Sequence, residues 1–121
     1  MENVAVIGAS ANEARYANKA MKMLAEYGHT PIPVAPAAET ILGRQVYAHP
    51  GDIAGKVNTV TMYIGPARQD DAMLDQIVRL QPGRVIFNPG TENPDAYPRL
   101  QAAGIEVIEA CTLVMLRTGQ F

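Results

Sequence analysis

The residue types best placed to do chemistry stand in one short stretch. Asn3-Val4-Ala5-Val6-Ile7 runs directly into Gly8-Ala9-Ser10, and Tyr16, Ala20, Met23, Leu24 and Tyr27 follow at helical spacing. A buried strand, a tight Gly/Ser turn and an amphipathic helix aim the amides at a helix start towards a phosphate. Ser10 contacts that phosphate or serves the turn and helix cap, and Arg15 meets it as a cation or is a solvated surface charge. The turn lacks the second and third glycines of the G-x-G-x-x-G dinucleotide fingerprint. Ala35-Pro36-Ala37-Ala38 stands after the second apolar run, where an acidic residue would accept a ribose hydroxyl. NAD(P) is therefore the second reading of the site.

The remaining reactive side chains are scattered. His29 falls in the turn after the first helix, and His49 precedes Pro50 in an irregular stretch, so no metal-ligand spacing is formed. Cys111 follows the last apolar run: it is a small buried hydrophobe or, at a helix start, a thiol of raised reactivity. Asp70, Asp71 and Asp75 lie early in a helix, where acids face water and complement the dipole. Asn88 and Thr91, in a polar turn, are the further candidates for ligand contact. No catalytic or metal-ligating residue is assigned.

These residues are carried by short apolar runs that alternate with helical patterns. The runs are Val4 to Ile7, Pro31 to Val34, Gln45 to Tyr47, Thr59 to Ile64, Arg84 to Phe87 and Ile105 to Ile108. Met73, Leu74, Ile77, Val78 and Leu80 mark a helix ended by Pro82-Gly83. A later helix is predicted with Asn93 as N-cap, Pro94 at its first position and Gly104 as its stop. Continuous apolar strands between helices imply an α/β fold, a Rossmann-like doubly wound parallel sheet with helices on both faces. A ligand then lies beyond the carboxyl ends of the strands. The segments there are Gly8-Ala9-Ser10, Ala35-Pro36-Ala37, Gly65-Pro66-Ala67-Arg68, Asn88-Pro89-Gly90-Thr91 and Glu109-Ala110-Cys111.

Bulk properties narrow the classes. With 121 residues, 48% of them hydrophobic, one domain over residues 1–121 is expected. A net charge of −2 with dispersed cations offers no footprint for nucleic acid. No apolar run approaches the roughly 18 residues of a membrane span, and no leader pattern is visible. One cysteine fits a reducing compartment, so a cytoplasmic location is expected. Protein partners are not indicated.

Taken in order, the motifs resemble the stand-alone CoA-binding domain family, itself similar to the CoA-binding N-terminal domain of the succinyl-CoA synthetase alpha subunit. The resemblance is carried by Val4 to Ser10, Arg15-Tyr16-Ala17-Asn18, Tyr27 to Val34, Ile41-Leu42-Gly43 and Ala103 to Cys111, and it spans essentially the whole chain. It implies that Gly8, Ala9, Ser10 and the start of the next helix, with Arg15 and Asn18, hold the CoA pyrophosphate. Val34, Ala35 and Pro36 would lie against adenine and ribose. Tyr63, Ile64, Gly65 and Pro66 would line the pantetheine side. The chain departs from the family pattern where Asn-Pro-Lys becomes Ala35-Pro36-Ala37, where a Phe-Arg arginine is displaced to Arg68, and where Asp-Arg-Cys becomes Glu109-Ala110-Cys111. The lost lysine removes a contact to the ribose 3'-phosphate, unless Arg44 or Lys19 substitutes. The expected function is binding of CoA or an acyl-CoA without catalysis. An NAD(P)-binding oxidoreductase or redox-sensing module and an interaction domain that has lost its ligand are the alternatives.

Overall fold

The computed structural model describes residues 1–36 and 39–121. Its first strand, β1 (Asn3–Ile7), shows why the sheet must be covered on both sides: Val4, Ala5, Val6 and Ile7 are all at most 1% exposed. There follow α1 (Tyr16–Glu26), β2 (Thr30–Val34), the two-residue strands β3 (Thr40–Ile41) and β4 (Arg44–Gln45), and β5 (Thr59–Met62). The chain continues through α2 (Asp71–Leu80), β6 (Arg84–Phe87), α3 (Tyr97–Ala102), β7 (Glu106–Glu109) and α4 (Thr112–Arg117). The main sheet is parallel throughout, in the order β2-β1-β5-β6-β7. The chain moves outwards from β1 to β2, then returns past β1 and proceeds in the other direction from β5. That single reversal opens a crevice beyond the carboxyl ends of β1 and β5.

Alternate strand residues feed two cores. Ala5, Ile7, Val60, Met62, Val85 and Phe87 point to the face covered by Ile77 of α2 and Leu100 of α3. Val4 and Val6 point to the opposite face, against Met21 and Leu24 of α1 and Leu116 of α4. In α1 the buried positions Ala17, Ala20, Met21 and Leu24 repeat at the three- and four-residue spacing of one helix face. A fully buried side chain such as Phe87 stabilises the fold by about 1.5–3 kcal/mol. Proline is tolerated in β2 because that strand is at the sheet edge: the Pro33 carbonyl points outwards and accepts from the Tyr47 amide at 3.0 Å. The nitrogen on the same side of the residue owes no bond to β1.

Three element ends differ from the sequence-based expectation. The run Gln45 to Tyr47 is not one strand. Arg44 and Gln45 pair antiparallel with β3 across Leu42 and Gly43, both at positive φ, and Tyr47 makes an isolated parallel bridge to Val34. Two consecutive left-handed residues make the tight hairpin turn that takes the chain out of the main sheet. The α2 helix stops one residue before Pro82, on a left-handed Gln81 whose own side-chain amide donates to the Val78 carbonyl at 2.7 Å. Pro94 begins a single 3-10 turn, Pro94–Ala96, before α3, and the Asn93 side chain caps neither. Its amide nitrogen donates instead to Gln69 Oε1 at 3.2 Å.

Candidate functional site

The crevice at the strand-order reversal has a volume of about 420 Å³. Its floor is the turn after β1. Gly8 has φ +88°, and a Cβ there would stand 2.7 Å from Ile64 Cγ2 and 3.1 Å from the Tyr63 carbonyl group. The glycine is thus required by the packing of β1 against the end of β5. The Gly8 and Ala9 amides both donate to the Val34 carbonyl, at 3.0 and 3.1 Å. They are spent on holding the turn against β2 and do not point at a ligand. The open amides belong to the start of α1: its N-cap is Arg15, without a side-chain cap, and Tyr16 and Ala17 donate to no acceptor among the described residues. An uncapped helix start presents exposed N–H groups and partial positive charge to an anion.

The other sequence-selected residues divide into those that face the crevice and those that support it. Ser10, Arg15, Pro36, Ile64 and Gly65 line it together with Gly8 and Ala9. The Ser10 hydroxyl accepts from the Asn12 amide at 3.1 Å, a local turn contact, and does not cap α1. Asn18 is 1% exposed and lies beneath the turn, where its amide donates to the Ser10 carbonyl at 2.9 Å. Val34 is buried and acts through its carbonyl, while the Ala35 amide donates to Tyr47. Pro66 opens the 3-10 turn Pro66–Arg68 outside the lining. The Ala37 position, with its missing lysine, lies outside the described residues.

Asn88 is saturated internally. Its amide nitrogen donates to Thr61 Oγ1 at 2.7 Å and to the Met62 carbonyl at 2.9 Å, and its oxygen accepts from the Thr112 amide at 2.8 Å. It bolts the ends of β5 and β6 to the start of α4. Thr91 is used similarly, its hydroxyl on the Asn88 carbonyl and its own carbonyl receiving Gln69. The turn after β6 is therefore rigidly presented, and Pro89, Gly90 and Thr91 are the parts of it that reach the crevice.

Site selection from sequence passed over Tyr16 and Arg68, which line the crevice together with Tyr63, the residue that the resemblance set on the pantetheine side. Arg68 had a readable signal, since it follows a Gly-Pro turn at a strand end. The two arginines, both exposed, are the charged residues of the lining, with no acid among the described lining residues. In a chain of net charge −2, these two arginines give the crevice a local cationic character beside the start of α1. Tyr63 brings a different property. Its hydroxyl is buried without a hydrogen-bond partner among the described residues. Burial, then the neighbouring Cys111 thiol, pushes its pKa up to about 12 against the easing influence of the Thr61 and Thr112 hydroxyls. It stays neutral at physiological pH.

Beyond Tyr63 a second cavity of about 280 Å³ opens, lined by Tyr16, Tyr63, Asn88, Pro89, Cys111 and Leu113. Cys111 is partly exposed in its wall, at the N-cap of α4, rather than buried in the core. The histidine and aspartate groups stand apart from both cavities. His29 accepts from the Glu2 amide at 3.1 Å, at the other end of the sheet. Asp70 caps α2 by accepting from the Met73 amide, and Asp71 and Asp75 bracket Arg99 at 2.9 and 3.1 Å. None of the described helices is long and apolar enough to cross a membrane.

Comparison with solved structures returns the same architecture. An uncharacterized protein of known crystal structure is 41% identical, with a TM-score of 0.92 over 100% of this chain and 98% of its own. A hypothetical protein from Pyrococcus horikoshii OT3 is 30% identical, with a TM-score of 0.84 over 94% of this chain and 81% of its own. A dinucleotide-forming acetyl-coenzyme A synthetase from Ca. Korarchaeum cryptofilum shares the fold at 18% identity and a TM-score of 0.77, over 90% of this chain and 25% of the synthetase. A comparison with curated proteins finds no match. Residues 2–117 match the family model described as a CoA binding domain. With that match covering nearly the whole chain, and the crevice standing at the strand-order reversal, the protein belongs to the CoA-binding domain family.

Proposed function

We propose that this protein holds CoA or an acyl-CoA in the crevice and catalyses no reaction on it. The observation that carries the reading is the pairing of Arg15 and Arg68 around the uncapped start of α1, with no acid among the described lining residues. A pyrophosphate takes both charge-assisted contacts from the arginines and helix-start hydrogen bonds in such a place. The adenosine end then lies towards Pro36, after β2, and the pantetheine arm crosses Tyr63, Ile64 and Gly65. Binding without turnover is supported by the character of the titratable lining groups. Arginines keep their charge at any physiological pH, and the Tyr63 hydroxyl, with its pKa pushed up to about 12, accepts no proton near neutrality.

Gly65 supplies the test. It has φ −68° and ψ 163°, a conformation open to any residue, and a Cβ there would meet no atom within 4 Å. Gly65→Val therefore leaves the fold intact and places methyl groups in the path of the ligand. Calorimetry is expected to show CoA binding to the wild type and at least a tenfold loss in Gly65→Val, with the unfolding temperature unchanged. Full CoA affinity in the folded variant, or tighter binding of NADH or NADPH than of CoA by the wild type, overturns the proposal.

A further inference from the structure

We infer that the apolar cavity beside the crevice is a chamber for the acyl group of a CoA thioester, so that the protein binds short acyl-CoAs more tightly than free CoA. This rests on the CoA reading above and adds the class of cargo. The cavity adjoins the crevice, sharing Tyr16, Tyr63 and Pro89 with it, and it follows the strand order onwards: the crevice begins at Pro36 after β2, and the chamber ends at Cys111 after β7. A ligand with its pyrophosphate at the start of α1 and its arm laid over the ends of β5 and β6 delivers its far end there.

The chemistry of the walls selects against a charged or strongly polar end group. Among the described residues no charged side chain lines the chamber, and both ends of the Asn88 amide are committed internally. Tyr63 contributes a ring and a hydroxyl held neutral by burial, and Leu113 and Pro89 contribute hydrocarbon. A free thiol leaves most of this surface uncovered. An alkyl chain covers it, and each methylene removed from water contributes about 0.8 kcal/mol, which is roughly fourfold in affinity.

The experiment is calorimetry under reducing conditions with CoA, acetyl-CoA, butyryl-CoA and hexanoyl-CoA. Wild-type affinity is expected to rise along the first members by roughly fourfold per methylene and to level off when the chamber is full. Cys111 is partly exposed in the wall, so Cys111→Phe, with Cys111→Leu as the smaller alternative, fills the space from a position that tolerates added bulk. In a folded variant the slope of affinity against chain length is expected to fall to zero. A flat or declining series in a wild type that binds CoA overturns the chamber and leaves CoA binding standing, as does a slope that survives a folded Cys111→Phe. No binding of any member overturns both.

Discussion

The two ends of the parallel sheet are built from the same strands and put to opposite uses. At the amino-terminal end, before β1, β5 and β6, Arg84 lies 3.4 Å from Glu2, donates to Thr59 Oγ1 at 2.9 Å, and sits 4.4 Å from the centroid of the Phe121 ring. His29 closes on the same ring at 4.9 Å. The two part-buried charges there, Arg84 and Glu2, are answered by each other and by the Thr59 hydroxyl. At the carboxyl end Arg15 and Arg68 stand exposed beside an uncapped helix, and no carboxylate pairs with either among the described residues. Saturated polar groups mark the end that holds the chain together. Unsaturated ones, on a rigid base, mark the end to which the proposal assigns the ligand.

The contrast breaks first where the two roles overlap, at Gly8. Gly8→Val combines a strained positive φ with overlap against Ile64 and Tyr63, so a destabilisation of about 2–6 kcal/mol is expected, read as a steep fall in the thermal midpoint. The open end gives the next effect. Arg68→Ala and Arg15→Ala are each expected to weaken CoA binding by about 1.5–3 kcal/mol, tenfold or more, with stability within about 0.5 kcal/mol of wild type. Loss of stability in both variants with CoA affinity unchanged would make these arginines structural and erase the distinction.

Arg84→Ala is the mirror experiment. It leaves Glu2 and Thr59 without their shared donor and is expected to lower stability by about 1–2 kcal/mol in denaturant titration, with CoA affinity unaltered. The smallest effect belongs to Tyr63→Phe, which removes a partnerless buried hydroxyl and is expected to change stability at pH 7 by less than about 0.5 kcal/mol, or to raise it. Its signature appears in alkali. The folded-state pKa of Tyr63 is raised to about 12 from the ordinary 10, so the folded protein retains a proton that the unfolded chain gives up. Stability is full below about pH 10 and falls as pH rises towards 12. The variant keeps part of what the wild type loses over that interval, while Tyr97, also raised by burial and by its bond to Glu109, continues to contribute.

The legibility of this chain follows the range of the interactions involved. The strand, turn and helix of residues 3–26 and the alternation of apolar strands with helices were readable, because burial on two faces imposes a local periodicity. Gly8, Ser10 and Gly65 were readable as turn residues at strand ends, and they line the crevice. Asn88 was readable as a polar residue at such an end, but not as one with every hydrogen-bonding group consumed by Thr61, Met62 and Thr112. Asn93 carried the sequence pattern of a helix cap and instead bonds Gln69, because the side chain nearest in space outcompetes the expected local partner.

The sequence by itself determined the class of fold and the place of the glycine turn that floors the crevice, since both follow from apolar spacing and from glycine and proline positions within a few residues. Only the tertiary structure decided which groups are open. The Val34 carbonyl takes the Gly8 and Ala9 amides, α1 starts without a cap, and Arg68 joins Arg15 around one crevice. Strand order, which local periodicity does not encode, brings these distant residues together, and a polar group's availability depends on what it already bonds.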